Sequence, residues 1–179
     1  MPKKKHIPPV RAEVSDISRP NTDAVVCAAN TTCVMRDNTA RKIFEAAGED
    51  IQKQLKEVRY KRDRPIEIGE SLVTDPFEMR KRGVLQVYHA IITPLPRGLA
   101  NINAVNHSVR NALRQAIEAE MTSIAIPALG VGGGRLDATV VAGVLLPIAN
   151  NVQHNIKVRF VDQNEDFINA INKQLRQAR

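Results

Sequence analysis

The run Ser123-Ile124-Ala125-Ile126-Pro127-Ala128-Leu129 passes directly into Gly130-Val131-Gly132-Gly133-Gly134, and Asp137 then opens an apolar helical stretch reaching about Ala149. A buried strand that feeds a glycine loop and then a helix belongs to an α/β sheet, so this segment constrains the fold most. A second run obeys the same rule. Ala24-Val25-Val26-Cys27-Ala28-Ala29 is continuous and apolar, as a strand covered on both faces requires, and it ends in Asn30 at the start of the loop-like segment Asn30–Asn38. Thr39–Ala47 then reads as a helix stopped by Gly48, and Ile51, Leu55 and Val58 give the next helix an apolar stripe.

The same rhythm continues. Ile68–Thr74 and Val84–Ile92 are strand candidates, separated by the charged Glu78–Arg82 stretch and Gly83. From Asn101 to Glu120, apolar Ile102, Val105, Val109, Ala112, Leu113, Ala116 and Ile117 recur at helical spacing. Val158–Val161 reads as the last strand, Asp162 and Glu165 as a capping box, and Phe167, Ala170, Ile171 and Leu175 as the buried face of a closing helix. The alternation predicts a three-layer α/β/α domain with a mostly parallel sheet. Ligands of such sheets sit beyond the carboxyl ends of the strands, which places a site between Asn30–Asn38 and Gly130–Arg135. Residues 1–11, with Lys3, Lys4, Lys5 and Pro8-Pro9, read as a basic, poorly ordered tail, and residues 12–179 as one domain without repeats.

Composition narrows the function classes. The 179 residues carry 26 Lys and Arg against 19 Asp and Glu, a net charge of +7 that favours anionic partners. Aromatic residues are only 3% and Trp is absent, so platforms for stacking bases are scarce. Nucleic-acid binding is therefore expected to be weak, non-specific and salt-dependent, resting on Lys3–Lys5 and Arg59–Arg64; the Arg59–Arg64 cluster reads most simply as a solvated helix end. No apolar run approaches the roughly 20 residues of a membrane helix, and MPKKKHIPPV lacks the apolar core of a signal peptide. We expect a soluble, cytoplasmic protein with no membrane partner, no cofactor and no metal. Cys27 and Cys33 supply neither a disulfide framework nor a zinc quartet, and read as reduced core residues. Nothing in the sequence marks an oligomeric state.

The glycine loop carries the sharpest chemical signal. Glycine allows positive φ and close backbone approach, so successive N–H groups of Gly130–Gly134 can converge on a phosphate; the alternative is a flexible turn. The spacing fits neither the P-loop nor the first Rossmann turn. Asn30 is suited either to orienting a hydroxyl or water or to forming a turn through its own backbone bonds. His89 reads as a core or rim histidine, and His6, His107 and His154 have no partner pattern.

Taken together, Asp16-Ile17-Ser18, Asp23–Asn30, Ala46-Ala47-Gly48, Gly69-Glu70-Ser71, Val87-Tyr88-His89 and the Pro127–Gly134 loop resemble the macrodomain family, in the right order over about residues 12–175. The family's opening, G-D-I-T, a short spacer and D-A-I-V-N-A-A-N, matches the distance from Asp16 to Asn30 without a gap. The resemblance implies a macrodomain-like three-layer sandwich with a mixed, mostly parallel central sheet and a cleft for ADP-ribose or a related nucleotide. In that cleft Asp16 would accept the adenine amino group beside Ile17. Asn30, Gly130, Val131, Gly132, Gly133, Gly134 and Arg135 would complete the ligand-binding set, with the glycine loop on the phosphates.

The first loop departs from the family. Hydrolytic members resemble N-s-s-l-l-G-G-G-G-V-D-G-A-I-H-R-A-A-G, where this chain has Asn30-Thr31-Thr32-Cys33-Val34-Met35-Arg36-Asp37-Asn38-Thr39-Ala40 and onward to Gly48. The glycines are gone, the catalytic Asp position is Ala40, and the first Asn of N-A-A-N is Cys27. Another branch, with V-M-G-K-G-I-A and G-x-G-x-G-G-L-D, is echoed by Val34-Met35, Ala40 and Gly130–Asp137, but Phe44 stands at its lysine. Met35, Arg36 and Asn38 would crowd a loop around the distal ribose, unless Arg36 or Arg41 supplies charge to a phosphate. Three function classes follow: a binding module with little or no hydrolase activity; an ADP-ribosyl hydrolase or ADP-ribose-1″-phosphatase with a rearranged site, for which Asn30 and Asp37 are the catalytic candidates; and a nucleic-acid binder using basic surface.

Overall fold

The computed structural model describes residues 9–96 and 98–178. Six strands form one sheet in the order β1-β6-β5-β2-β4-β3: β1 (Arg11–Val14), β2 (Ala24–Asn30), β3 (Ser71–Thr74), β4 (Gln86–Thr93), β5 (Ser123–Ile126) and β6 (Lys157–Asp162). Every neighbouring pair is parallel except β3 and β4, which run antiparallel at one edge. The helices are α1 (Asn38–Ala47), α2 (Glu49–Tyr60), α3 (Ile102–Glu118), α4 (Ala138–Val152) and α5 (Glu165–Gln177).

Side-chain alternation along the strands builds two cores. Ala24 and Val26 of β2, Tyr88, Ala90 and Ile92 of β4, and Ile124 and Ile126 of β5 pack under α3, α4 and α5. Val25, Cys27, Val87, Ile91 and Ala125 face the other way, onto Ile43, Ala47, Ile51 and Leu55 of α1 and α2. The expected three layers and mixed, mostly parallel sheet are present. α1 and α2 are broken apart by Gly48 at φ +92, whose amide closes α1 on Phe44 O. Asn101 and Asp137 cap α3 and α4 through their side chains.

The main departures from the sequence expectation are four, beside shifts of one to three residues at other element ends. Val10 is buried and Arg11 opens β1, so the fold begins before the expected tail ends at residue 11; residues 1–8 lie outside the described residues. β1 itself was not foreseen, because an edge strand reading Arg-Ala-Glu-Val with little burial carries no apolar pattern. The strand expected over Ile68–Thr74 is shortened to Ser71–Thr74, since Gly69 at φ +94 turns the chain before it. The capping box at Asp162 and Glu165 is replaced by Asn164, whose Oδ1 accepts the Phe167 amide at 2.9 Å. Asp162 instead ends β6 and accepts the amides of Ala128 (2.9 Å) and Asn164 (2.8 Å).

Candidate functional site

After β2 the chain runs through α1 and α2 to the edge strand β3 and returns as β4 on one side of β2, while β5 pairs on the other side, so the strand order reverses around β2. Clefts of α/β sheets open at such a switch point, beyond the carboxyl ends of the strands. The two loops at this end are the ones the sequence singles out. Asn30, Val34, Asp37 and Asn38 from the first face Gly130, Val131, Gly133 and Gly134 from the second across one hollow, floored by Ala28, Ala128 and Thr93. A second hollow continues from it past Asn38, Thr39, Ala128 and Val131 toward Ser15, Ile17 and Asn164.

The four glycines of the second loop divide into two tasks. A Cβ on Gly134 would lie 2.6 Å from Gly130 O and 2.7 Å from Ala100 Cβ, and one on Gly130 would lie 2.7 Å from Leu136 Cδ1 and 2.9 Å from Ala100 Cβ. These two hold the loop closed against the segment before α3, where Ala100 N donates to Gly134 O at 3.1 Å. Gly132, at φ +81, and Gly133 face the first loop, with Asn38 Nδ2 at 3.3 and 3.5 Å from their would-be Cβ positions. Within the turn, the amides of Val131, Arg135 and Leu136 bond Ala128 O, Gly132 O and Gly130 O. Among the described residues the amides of Gly130, Gly133 and Gly134 have no internal acceptor. Arg135 is exposed at φ +59 on the outer turn and lines neither hollow.

Asn30 ends β2 at a register shift against β4. It is buried, and its Oδ1 accepts from Thr32 N (3.1 Å), Thr32 Oγ1 (2.6 Å) and Val34 N (3.4 Å), while Nδ2 donates to Val34 O (3.0 Å). Its carboxamide therefore fixes the first loop. Gln52 of α2 clamps that loop from behind, accepting from Met35 N at 2.8 Å and donating to Cys33 O at 2.5 Å. Cys33 and Met35 are buried in the α1–α2 core, and burial pushes the Cys33 thiol up to about 11 despite the nearby Arg59 and Arg62 charges. This corrects the expected crowding. Met35 packs inward, Arg36 is exposed and lines neither hollow, and of the three only Asn38 faces the glycines. Ala40, buried in the first turn of α1, presents a methyl group to the hollow.

Asp16 is half-buried and lines neither hollow, although its neighbours Ser15 and Ile17 line the second. Its Oδ1 accepts from Ser18 N at 2.9 Å. Burial would raise its pKa, but the Ser18 hydrogen bonds and the Lys42 and Arg19 charges together hold the carboxyl below its ordinary value. Lys42, which sequence reasoning did not single out, lines the second hollow and donates from Nζ to Gln163 Oε1 across it. Its signal was hidden in a helix whose charged positions read as solvated. Elsewhere, Arg62 and Arg64 both bind Glu70 Oε1, at 2.6 and 2.7 Å, so two of the four cations in Arg59–Arg64 share one carboxylate within the fold. No described helix is long and apolar enough to cross a membrane.

Fold and site together define a three-layer α/β protein with a glycine-walled cleft at the switch point of its sheet. Residues 26–145 match the Macro domain family model, and the chain belongs to that family. It is 34% identical over 118 residues to a Sulfurisphaera tokodaii protein, a match covering 65% of this chain and 61% of that one. A Sulfolobus acidocaldarius protein is 31% identical over 121 residues, 67% of this chain and 63% of that one. The chain thus spans about three-fifths of the length of these archaeal relatives. An Aquifex aeolicus protein matches at 25% identity over 168 residues, covering 93% and 97%. Among solved structures, the Oceanobacillus iheyensis macrodomain with ADP superposes with a TM-score of 0.83 at 19% identity, covering 97% of this chain and 93% of that one. The Trypanosoma brucei macrodomain in complex with ADP-ribose superposes with a TM-score of 0.77 at 17% identity, covering 93% and 68%.

Proposed function

We propose that the cleft binds ADP-ribose or a closely related nucleotide and that the protein hydrolyses ADP-ribose conjugates slowly or not at all. The observation that carries this reading is the glycine loop: amides of Gly130, Gly133 and Gly134 without internal acceptors, facing the Asn30–Asn38 loop at the carboxyl ends of β5 and β2. Such amides suit a pyrophosphate, whose charge needs several donors and a backbone free of side chains. The ADP and ADP-ribose complexes of the Oceanobacillus and Trypanosoma macrodomains support the same ligand class. In this reading Asp16 and Ile17 take the adenine end.

Slow hydrolysis follows from Ala40 and Asn30. A positioned acid or base contributes about 10²- to 10⁴-fold to such a reaction. Ala40 has no oxygen to offer, and the carboxamide of Asn30 is committed to Thr32 and Val34. Titration of ADP-ribose into wild type and Gly132→Val tests the binding reading. A valine at φ +81 facing Asn38 blocks the pyrophosphate position, so binding present in wild type should be lost in a folded variant. Equal affinity in both would remove the glycine loop from the site. Brisk release of ADP-ribose from a modified protein, abolished by Asn30→Ala or Asp37→Ala, would instead establish a hydrolase with a rearranged site.

A further inference from the structure

We propose that the Asp16 end of the cleft selects an ADP-ribose-like ligand bearing an additional phosphate on its adenosine ribose, met by Lys42 and Arg41. The inference rests on the nucleotide reading above and names the ligand class more narrowly. Arg41 and Lys42 follow each other on α1, whose first turn holds no acidic residue, and both line the second hollow, next to Gly132. This hollow shares Asn38, Thr39, Ala128 and Val131 with the one whose amides are assigned to the pyrophosphate, so one nucleotide can occupy both.

The acidic groups around this hollow are already engaged. Both carboxylate oxygens of Asp162 accept backbone amides, from Ala128 and Asn164, and Asp16 accepts the Ser18 amide. Arg41 pairs with Glu45 at 3.6 Å, but both side chains are more than 60% exposed, and such a pair contributes little and yields readily to a stronger anion. Lys42 bonds the neutral Gln163 across the opening and not a carboxylate. Its charge reaches the Asp16 carboxylate only at longer range, and with no carboxylate in direct contact the ammonium keeps donors for a stronger anion. A bare adenosine hydroxyl makes little use of two adjacent cations, whereas a phosphate monoester, with close to two negative charges at neutral pH, forms charge-assisted bonds to both.

The test compares ADP-ribose with ADP-ribose 2′-phosphate by calorimetry on the full chain at neutral pH, at low and at raised salt. The phosphorylated ligand should bind roughly 10-fold tighter at low salt, with the advantage shrinking as salt rises. Lys42→Met should bring the two ligands to within about twofold of each other. Binding of ADP-ribose with no preference for the phosphorylated form overturns this inference alone. So does a preference that survives in a Lys42→Met, Arg41→Met double variant. Failure of both ligands to bind overturns the inference together with the nucleotide reading beneath it.

Discussion

Asn30 and Asp16 show how a polar side chain near a cleft divides its hydrogen bonds between fold and ligand. Asn30 has given Oδ1 to Thr32 and Val34, and its contribution to the site is the shape of the first loop. Asp16 offers Oδ1 to the Ser18 amide and keeps an ionised carboxylate beside the Ser15–Ile17 wall. If it accepts the adenine amino group, the bond is charge-assisted and contributes about 1.5–3 kcal/mol, roughly 10- to 100-fold in affinity. Asp16→Ala is expected to weaken ADP-ribose by that factor in calorimetry; an unchanged dissociation constant in a folded variant would confine Asp16 to its local turn. The glycine loop was legible in the sequence because four glycines between an apolar strand and a helix have few other uses. The inward turn of Met35 was not, since its amide is held by Gln52, seventeen residues away, a contact that leaves no local sequence pattern.

Among the elements, the central strands are tied at their amino ends by Asp23. Its carboxylate accepts from Thr122 N (2.8 Å), Thr122 Oγ1 (3.0 Å), Ser123 N (2.6 Å) and Ser123 Oγ (2.5 Å), while its carbonyl accepts from Leu85 N at 2.8 Å. One residue thus fixes β2, β5 and β4 in register at the end opposite the cleft. Asp23→Ala strands two amides and two hydroxyls and should cost on the order of 2–4 kcal/mol in denaturant unfolding, with ADP-ribose affinity of the folded protein unchanged. A loss below about 0.5 kcal/mol would show that solvent replaces the carboxylate. The helices and buried strands were readable because their apolar periodicity is set by burial. β1 was not, because it lies at the sheet edge and its pairing with β6 depends on backbone groups that leave no trace in side-chain pattern.

For the whole molecule, pH acts through groups that the fold holds in one ionisation state. His89 lies buried on β4, its Nε2 bonded to Thr74 Oγ1 at 2.8 Å and its Nδ1 without a partner among the described residues, and burial pushes its pKa down to about 3 from 6.5. A depressed value in the folded state means that the unfolded chain takes up the proton first. The stabilising contribution is complete above about 6.5 and is lost progressively as pH falls toward 3. At pH 5 the loss is on the order of 2 kcal/mol. Asp23 and Asp16 act in the same direction at lower pH. Burial would raise both, but hydrogen bonds, to Ser123 and Thr122 for Asp23 and to Ser18 for Asp16, hold them below 3.8, so their contribution is present above that value and lost as pH falls through the folded pKa. The melting temperature should therefore drop between pH 7.5 and 5; a flat profile over that interval would mean that His89 gains a proton without cost.

The central proposal is that this chain recognises a diphosphate nucleotide through the backbone amides of its glycine loop. Isothermal titration of the full chain with ADP-ribose, beside adenosine and a short RNA, tests it most directly. The expected result is saturable one-to-one binding of ADP-ribose that is lost with Gly132→Val, weaker binding of adenosine, which lacks the phosphates, and RNA binding that disappears as salt rises. Undetectable heat with ADP-ribose alongside salt-resistant RNA binding would contradict it.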